Sequence, residues 1–237
     1  FGLDACGGVS AWLAENGRGF LIGTMRVPIV PGAIVFDLLS GGDKDWGRFS
    51  PYRDLGYQAA AAATAGPVAL GSIGGGTGAT TADLKGGIGS ASALAPSGHR
   101  VGAIVIVNAV GSATIGASGH FWAATDEVAA EFGGLGLPSP WPSDAHALKL
   151  KGARPENTTI ALVVTDAVLD KGQATHLAVM AQDGLGRAIR PIHTPLDGDT
   201  VFAAATGTVP IGDYARDMAA IGFTAASVLA RACARAV

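Results

Sequence analysis

Asn157-Thr158-Thr159 places a hydroxyl directly after a polar loop and directly before the apolar run Ile160 to Val164. If the Asn157–Thr158 bond breaks, Thr158 becomes an N-terminus. One residue then carries a hydroxyl to attack an amide and an α-amine, with an ordinary pKa of roughly 7.7 to 8.0, to take its proton. On local evidence a polar turn entering a strand accounts for the tripeptide equally well. Asp197-Gly198-Asp199-Thr200 sets two carboxylates two positions apart, so that they either raise one another's pKa or share a cation, such as a new ammonium at Thr158. A plain Asp-Gly turn is the competing reading. Asn108 closes the apolar run Val101 to Val107, where its amide could donate to a developing oxyanion, a role worth about 3 to 4 kcal/mol, or simply form a turn. Gly74 to Gly78, including Gly76 and Thr77, offers further backbone N–H donors.

Other chemistries find little footing. The glycine run lacks a following Gly-Lys-Ser/Thr and does not have GxGxxG spacing, so neither phosphate cradling nor dinucleotide binding is indicated. His99, His120, His146, His176 and His193 show no ligand spacing with each other or with cysteine, and no metal or other cofactor is expected. No Gly-x-Ser-x-Gly elbow anchors a serine triad.

With 237 residues, a formal net charge of -3 and no basic stripe, the chain is not built for nucleic acid. Cys6 and Cys233 are too few for a disulfide framework and read as small core residues in a reducing compartment. No apolar run reaches the roughly 18 to 20 residues of a membrane span, and no signal-peptide pattern appears, so a cytoplasmic location is expected.

These candidate groups must be positioned by regular elements. Leu3, Cys6, Val9 and Leu13 recur as one helix face that ends at Asn16-Gly17, and Pro51 to Ala63 reads as a second helix. Val27 to Pro31 must be extended or turning, and Ala33 to Leu39 is apolar without a clear period. Gly66 to Gly78 reads as an ordered loop, and Asp43 to Arg48 as a charged one. Strands are expected at 87–93, 101–107, 159–165 and 200–205. Residues 111–157, with Pro138, Pro140, Pro142 and Pro155, lack periodicity. Asp170 with Gln173 forms a capping box for a helix to about Ala188, and Asp213 caps a last helix to about Ala234 with the stripe Met218, Ile221, Val228, Leu229, Ala232. The pattern is a layered α/β or α+β single domain, 1–237.

Several segments, in order, resemble the self-processing peptidases of the DmpA type, which include D-aminopeptidases, β-aminopeptidases and nylon-oligomer endo-hydrolases. They are Phe1-Gly2-Leu3-Asp4-Ala5, Val27 to Pro31 with Phe36-Asp37-Leu38, Gly76-Thr77-Gly78-Ala79-Thr80, Leu84-Lys85-Gly86-Gly87-Ile88-Gly89-Ser90, Val107-Asn108-Ala109-Val110-Gly111, Asn157-Thr158-Thr159-Ile160 and Asp197 to Phe202. The resemblance implies a four-layer α/β/β/α sandwich like that of N-terminal-nucleophile hydrolases. It also implies self-cleavage into 1–157 and 158–237, fragments that stay together and assemble as a homo-oligomer, a tetramer or larger. By the same resemblance Thr158 attacks, Asp197 and Asp199 orient it, Asn108 stabilises the oxyanion, and Phe36, Gly76 and Thr77 face the substrate. Phe36 stands where members often have Tyr, so a phenolic hydroxyl is absent. The catalytic-site lysine of the nylon-oligomer branch falls at Asp83, so either Lys85, two positions on, substitutes from the same face or that function is lost. Members also carry a strand region before the equivalent of Phe1. The implied substrate is a short amide bearing a free amine, with neither nucleic acid nor membrane as partner. An acetyl-transferring relative of the ornithine acetyltransferase type and a non-catalytic binding protein are the alternatives.

Overall fold

Strict alternation in the central strands decides what this chain buries. In residues 101–107 of one and 158–167 of the other, every second residue is sealed from solvent while its neighbours are half-buried, the period of a sheet with one covered face. The computed structural model describes residues 1–152 and 157–237, divided into two compact units. Pro155, read with the aperiodic stretch, lies outside the described residues.

The first unit comprises Phe1–Ile34 and Leu38–Val68. It holds helix α1 (Asp4–Glu15), a two-stranded antiparallel ribbon of β1 (Phe20–Ile22) and β2 (Met25–Val27), and helix α2 (Tyr52–Ala61). Helices α1 and α2 touch backbone to backbone through glycine. A Cβ on Gly8 would lie 1.9 Å from the Arg53 carbonyl oxygen, and one on Gly56 2.1 Å from that of Ala5. The ribbon was not legible as strands, because its strands are three residues each and exposed throughout. Cys6, expected in the core, is only half-buried.

The second unit comprises Val35–Asp37 and Ala69–Val237. Its sheet runs β3 (Gly87–Leu94), β4 (Arg100–Asn108), β5 (Thr158–Ala167), β6 (Thr200–Val209). The first two pairings are antiparallel and the β5–β6 pairing is parallel, with helix α3 (Lys171–Ala188) between those two strands in sequence. The Asp170 carboxylate and the Gln173 side chain close the expected capping box of α3, and Asp213 caps α4 (Tyr214–Arg235) by accepting from the Arg216 N–H. Leu177, Leu185, Ile221, Val228 and Leu229 join Val101, Val105, Val107 and Val163 in one core, all at most 1% exposed. Full burial of each such side chain is worth about 1.5 to 3 kcal/mol. On the other face Ile88, Ile104, Ile106, Ile160, Leu162 and Phe202 line a shallow apolar cleft.

The expectation that nothing in the chain has the length and apolarity of a membrane span needs correction. Helix α4 passes by composition, with mean hydropathy 1.2, because alanine and glycine dilute its charges. Within its 18-residue apolar window 67% is buried in the fold, as in the core helix of a folded domain. Its Arg231 forms an ion pair with Glu131 and donates to the Ser92 carbonyl at 3.1 Å, tying the 127–134 loop to the helix and to β3. Burial by itself would raise the Glu131 pKa, but the Arg231 hydrogen bond and charge, with Arg235, hold it below the ordinary carboxylate value.

Candidate active site

The start of β5, the end of β4 and the turn before β6 meet at one end of the sheet. Register does the first part of the work: Asn108 lies directly opposite Thr158, and the pairing continues with Val107 against Thr159 and Ile106 against Ile160. Directly opposed residues of an antiparallel pair share a face, about 4.5 to 5.5 Å apart at Cβ. Thr158 and Asn108 therefore sit on the same face as Ile106 and Ile160, away from the helices. Asn157 pairs with Asp197 in a parallel bridge, which brings the Asp197-Gly198-Asp199 turn alongside.

The Thr158 hydroxyl donates to the carbonyl oxygen of Asn157 at 2.6 Å, and the Gly198 N–H donates to that same oxygen at 2.8 Å. A backbone donor thus already points at the atom that becomes an oxyanion if Thr158 attacks its own amide. Gly198 also leaves the hydroxyl room, since a Cβ there would stand 3.0 Å from Thr158 Oγ1.

The two carboxylates divide their labour. Asp197 accepts from the Val110 N–H at 3.1 Å and from the N–H and hydroxyl of Thr194 at 3.1 and 2.8 Å, so it braces the chain beyond β4 and its own turn. Asp199 accepts from the Thr159 N–H at 2.7 Å and from the N–H and Nδ1 of His193 at 3.1 and 2.9 Å. Its side chain is 2% exposed. Burial raises its pKa above the ordinary carboxylate value; the Thr159 N–H opposes the shift, the charge of Asp197 adds to it, and His193 opposes it.

Asn108 is completely buried, with both its amide oxygen and its amide nitrogen bonded. Its Nδ2 donates to the Phe36 carbonyl at 3.2 Å, while its Oδ1 accepts from the Thr80 N–H at 3.1 Å and from Lys151 Nζ at 2.7 Å. These contacts fix the amide orientation. Phe36 serves the site through its backbone, with its ring half-buried.

The remaining sequence candidates are placed differently. Lys85 is exposed, with no hydrogen bond or ion pair to any described residue of the site; the cation beside Asn108 is Lys151. Lys85 answers Thr80 across an antiparallel bridge, and the buried residue there is the next one, Gly86. Asp83, at the other position considered, accepts from Ser112 Oγ at 2.9 Å and pairs with Lys149 at 3.3 Å. The N–H groups of Gly76 and Thr77 are consumed by their own helical turn, donating to Ile73 and Gly74 carbonyls. The loop reaches the site one step later, through Thr80. Lys151, Gly198 and His193 were missed. Lys151 gave no signal, since it meets Asn108 across 43 positions of aperiodic chain. His193 stood four residues before Asp197, without any spacing that named it. No group of three or more His, Cys, Asp or Glu fit to hold a metal occurs among the described residues.

The model of peptidase family S58 matches residues 1–237. An uncharacterized aminopeptidase of Mycobacterium bovis is 42% identical over 248 aligned positions, covering 98% of this chain and 69% of that protein. The 6-aminohexanoate-oligomer endohydrolase of a Kocuria species is 28% identical, covering 89% of this chain and 59% of that protein. Among solved structures, a Burkholderia β-aminopeptidase superimposes with a TM-score of 0.62 at 26% identity, over 98% of this chain and 64% of that one. The L-aminopeptidase D-Ala-esterase/amidase of Ochrobactrum anthropi, described as a variant of the Ntn hydrolase fold, gives 0.61 at 21% identity, over 98% and 62%. The chain spans between about three-fifths and seven-tenths of the length of these relatives.

Proposed function

The chain belongs to peptidase family S58, and from that premise we propose that it is a self-processing amidohydrolase whose nucleophile is the hydroxyl of Thr158. Hydrolysis of peptide bonds is the chemistry of the family. The finer reading is our own: cleavage between Asn157 and Thr158, and turnover of short amides bearing a free amine, such as aminoacyl peptides or aminohexanoate oligomers.

The observation that carries it is the shared carbonyl oxygen of Asn157, contacted by Thr158 Oγ1 at 2.6 Å and by the Gly198 N–H at 2.8 Å. In maturation, Oγ bonds to the Asn157 carbonyl carbon while Gly198 N–H stabilises the oxyanion. The C–N bond breaks, and the hydroxyl proton ends on the departing Thr158 nitrogen. Water then hydrolyses the ester, leaving a carboxylate on Asn157 and a free amine on Thr158. In turnover that amine accepts the Oγ proton as Oγ attacks a substrate carbonyl; the leaving amine takes the proton, and water releases the acyl group. Asp199 holds the Thr159 N–H, one residue from the new terminus, and so fixes where the amine sits. Lys151 and Thr80 hold Asn108 opposite it.

Intact mass spectrometry tests the reading. Wild-type protein should separate into pieces 1–157 and 158–237 on denaturation, and Thr158→Ala should stay one chain. Cleavage persisting in Thr158→Ala would overturn it.

A further inference from the structure

A pocket of different character lies on the same unit, lined by Ser112, Trp122, His146, Lys149 and Arg190 among others. Its charges do not balance. The Lys149 ammonium is paired with Asp83 at 3.3 Å and donates to the Gly116 carbonyl at 2.6 Å. Arg190 has no carboxylate partner among the described residues; its guanidinium carbon instead sits 4.0 Å from the ring centroid of Trp122. Trp122 neighbours Trp141 at 6.2 Å, and Trp141 neighbours His146 at 6.1 Å, so the stacked cation rests on an aromatic wall. An indole face orders a guanidinium while leaving its N–H fork free to donate. The base of Arg190 is fixed by two backbone bonds of 2.9 Å to Ser112.

The chain ties this pocket to the candidate nucleophile's surroundings from two sides. Ser112 follows Asn108 by four residues, which can span at most about 14 Å. Lys149 precedes by two residues Lys151, whose ammonium bonds Asn108. We propose that this pocket binds the free carboxylate on the leaving-group side of the substrate, with Arg190 as its donor fork and Trp122 as its platform. The proposal rests on the amidohydrolase reading above and narrows its substrate class. The preferred amide would be a short one whose leaving group ends in a free carboxylate. Chain interiors and amide-capped ends would be poorer substrates. A bidentate Arg–carboxylate pair supplies both affinity and orientation, which a lysine at the same place would supply only as a point charge.

The test compares an alanyl dipeptide with its C-terminal carboxamide on the processed wild-type enzyme. The free carboxylate should be favoured about tenfold in kcat/KM, the order expected of a hydrogen bond to a charged group at an exposed site. Arg190→Gln should bring the ratio to near one, and Arg190→Lys should leave an intermediate value. A ratio unchanged in Arg190→Gln would overturn the proposal. A second measurement does not depend on turnover. In the Thr158→Ala chain, the indole N–H resonance of Trp122, assigned with Trp122→Phe, should move on titration with N-acetylglycine and stay in place with N-acetylglycinamide. It should also stay in place with N-acetylglycine once Arg190→Gln is added. Equal shifts with both probes would sink the carboxylate pocket even in a working hydrolase. Failure of wild-type cleavage and turnover, with the indole shift intact, would instead remove the amidohydrolase reading and leave the pocket.

Discussion

On the helix-covered face of the β3–β6 sheet, Val105, Val107, Ala161 and Val163 are at most 1% exposed, whereas on the opposite face Ile106, Ile160 and Leu162 are half-buried. The second face carries Asn108 and Thr158. Neighbouring residues of one strand therefore serve opposite ends. Thr159 turns to the sealed side while its N–H is held by Asp199; Thr158 turns to the open side and bonds its own preceding carbonyl. The sealed face fixes register, and register fixes which hydroxyl meets Asn108, because a slip of one residue would exchange every side chain between the faces. Packing on one side of the sheet thus specifies chemistry on the other.

That contrast can be broken at Thr158 first. Thr158→Val keeps shape and loses the hydroxyl, so the chain should remain uncut and amide turnover should fall by at least about 10⁴-fold, measured by intact mass and an amine-release assay. Next comes Asn108→Asp, which keeps an oxygen for the Thr80 N–H and Lys151 but removes the Nδ2 donor. Turnover should drop about 10² to 10³-fold, with the circular dichroism spectrum unchanged. On the sealed face, Leu229→Ala should cost about 2 to 5 kcal/mol in denaturant unfolding, yet leave self-cleavage intact at temperatures where the protein is folded. If that variant abolished cleavage while folded, the division of labour between faces would be wrong.

Acidity offers a finer test at Asp199. Its folded pKa is raised, chiefly by burial, so the native state binds its proton more readily than the unfolded chain does. The stability this contributes is present below the ordinary carboxylate value of about 3.9 and is lost as pH rises through the raised value. In the Thr158→Ala background, the Tm advantage of Asp199 over Asp199→Asn should therefore shrink as pH rises above the ordinary carboxylate value, read by scanning calorimetry. The smallest effect is expected at Leu162→Ser on the open face, about 1 kcal/mol, since that side chain is already partly in water.

Much of this was legible in the residues. One capping box, one aspartate cap and four short apolar runs located α3, α4 and all four strands of the second unit, because caps and short β-branched runs are local signals. Thr158, Asn108, Asp197 and Asp199 were legible as candidates and fall together at one sheet end. What stayed hidden depended on distant pairing. Lys151 was masked by aperiodic sequence and Lys85 took its place in the reading. Gly76 and Thr77 were read as free donors, although a tight turn consumes its own N–H groups before a ligand can. His193 adopts a positive φ of 56°, a backbone state that sequence gives no sign of for histidine.

The strand order holds one more consequence. The proposed cut between residues 157 and 158 would not separate a strand at the rim of the sheet but would divide it between β4 and β5, its two inner strands, which face each other in eight matched positions from Val101–Thr165 to Asn108–Thr158. A molecule severed there would consist of two paired halves that could not part without tearing the middle of the sheet. Reassembly from denaturant would then be a bimolecular encounter, slower at every dilution, so the act that arms the protein would also make its unfolding effectively one-way.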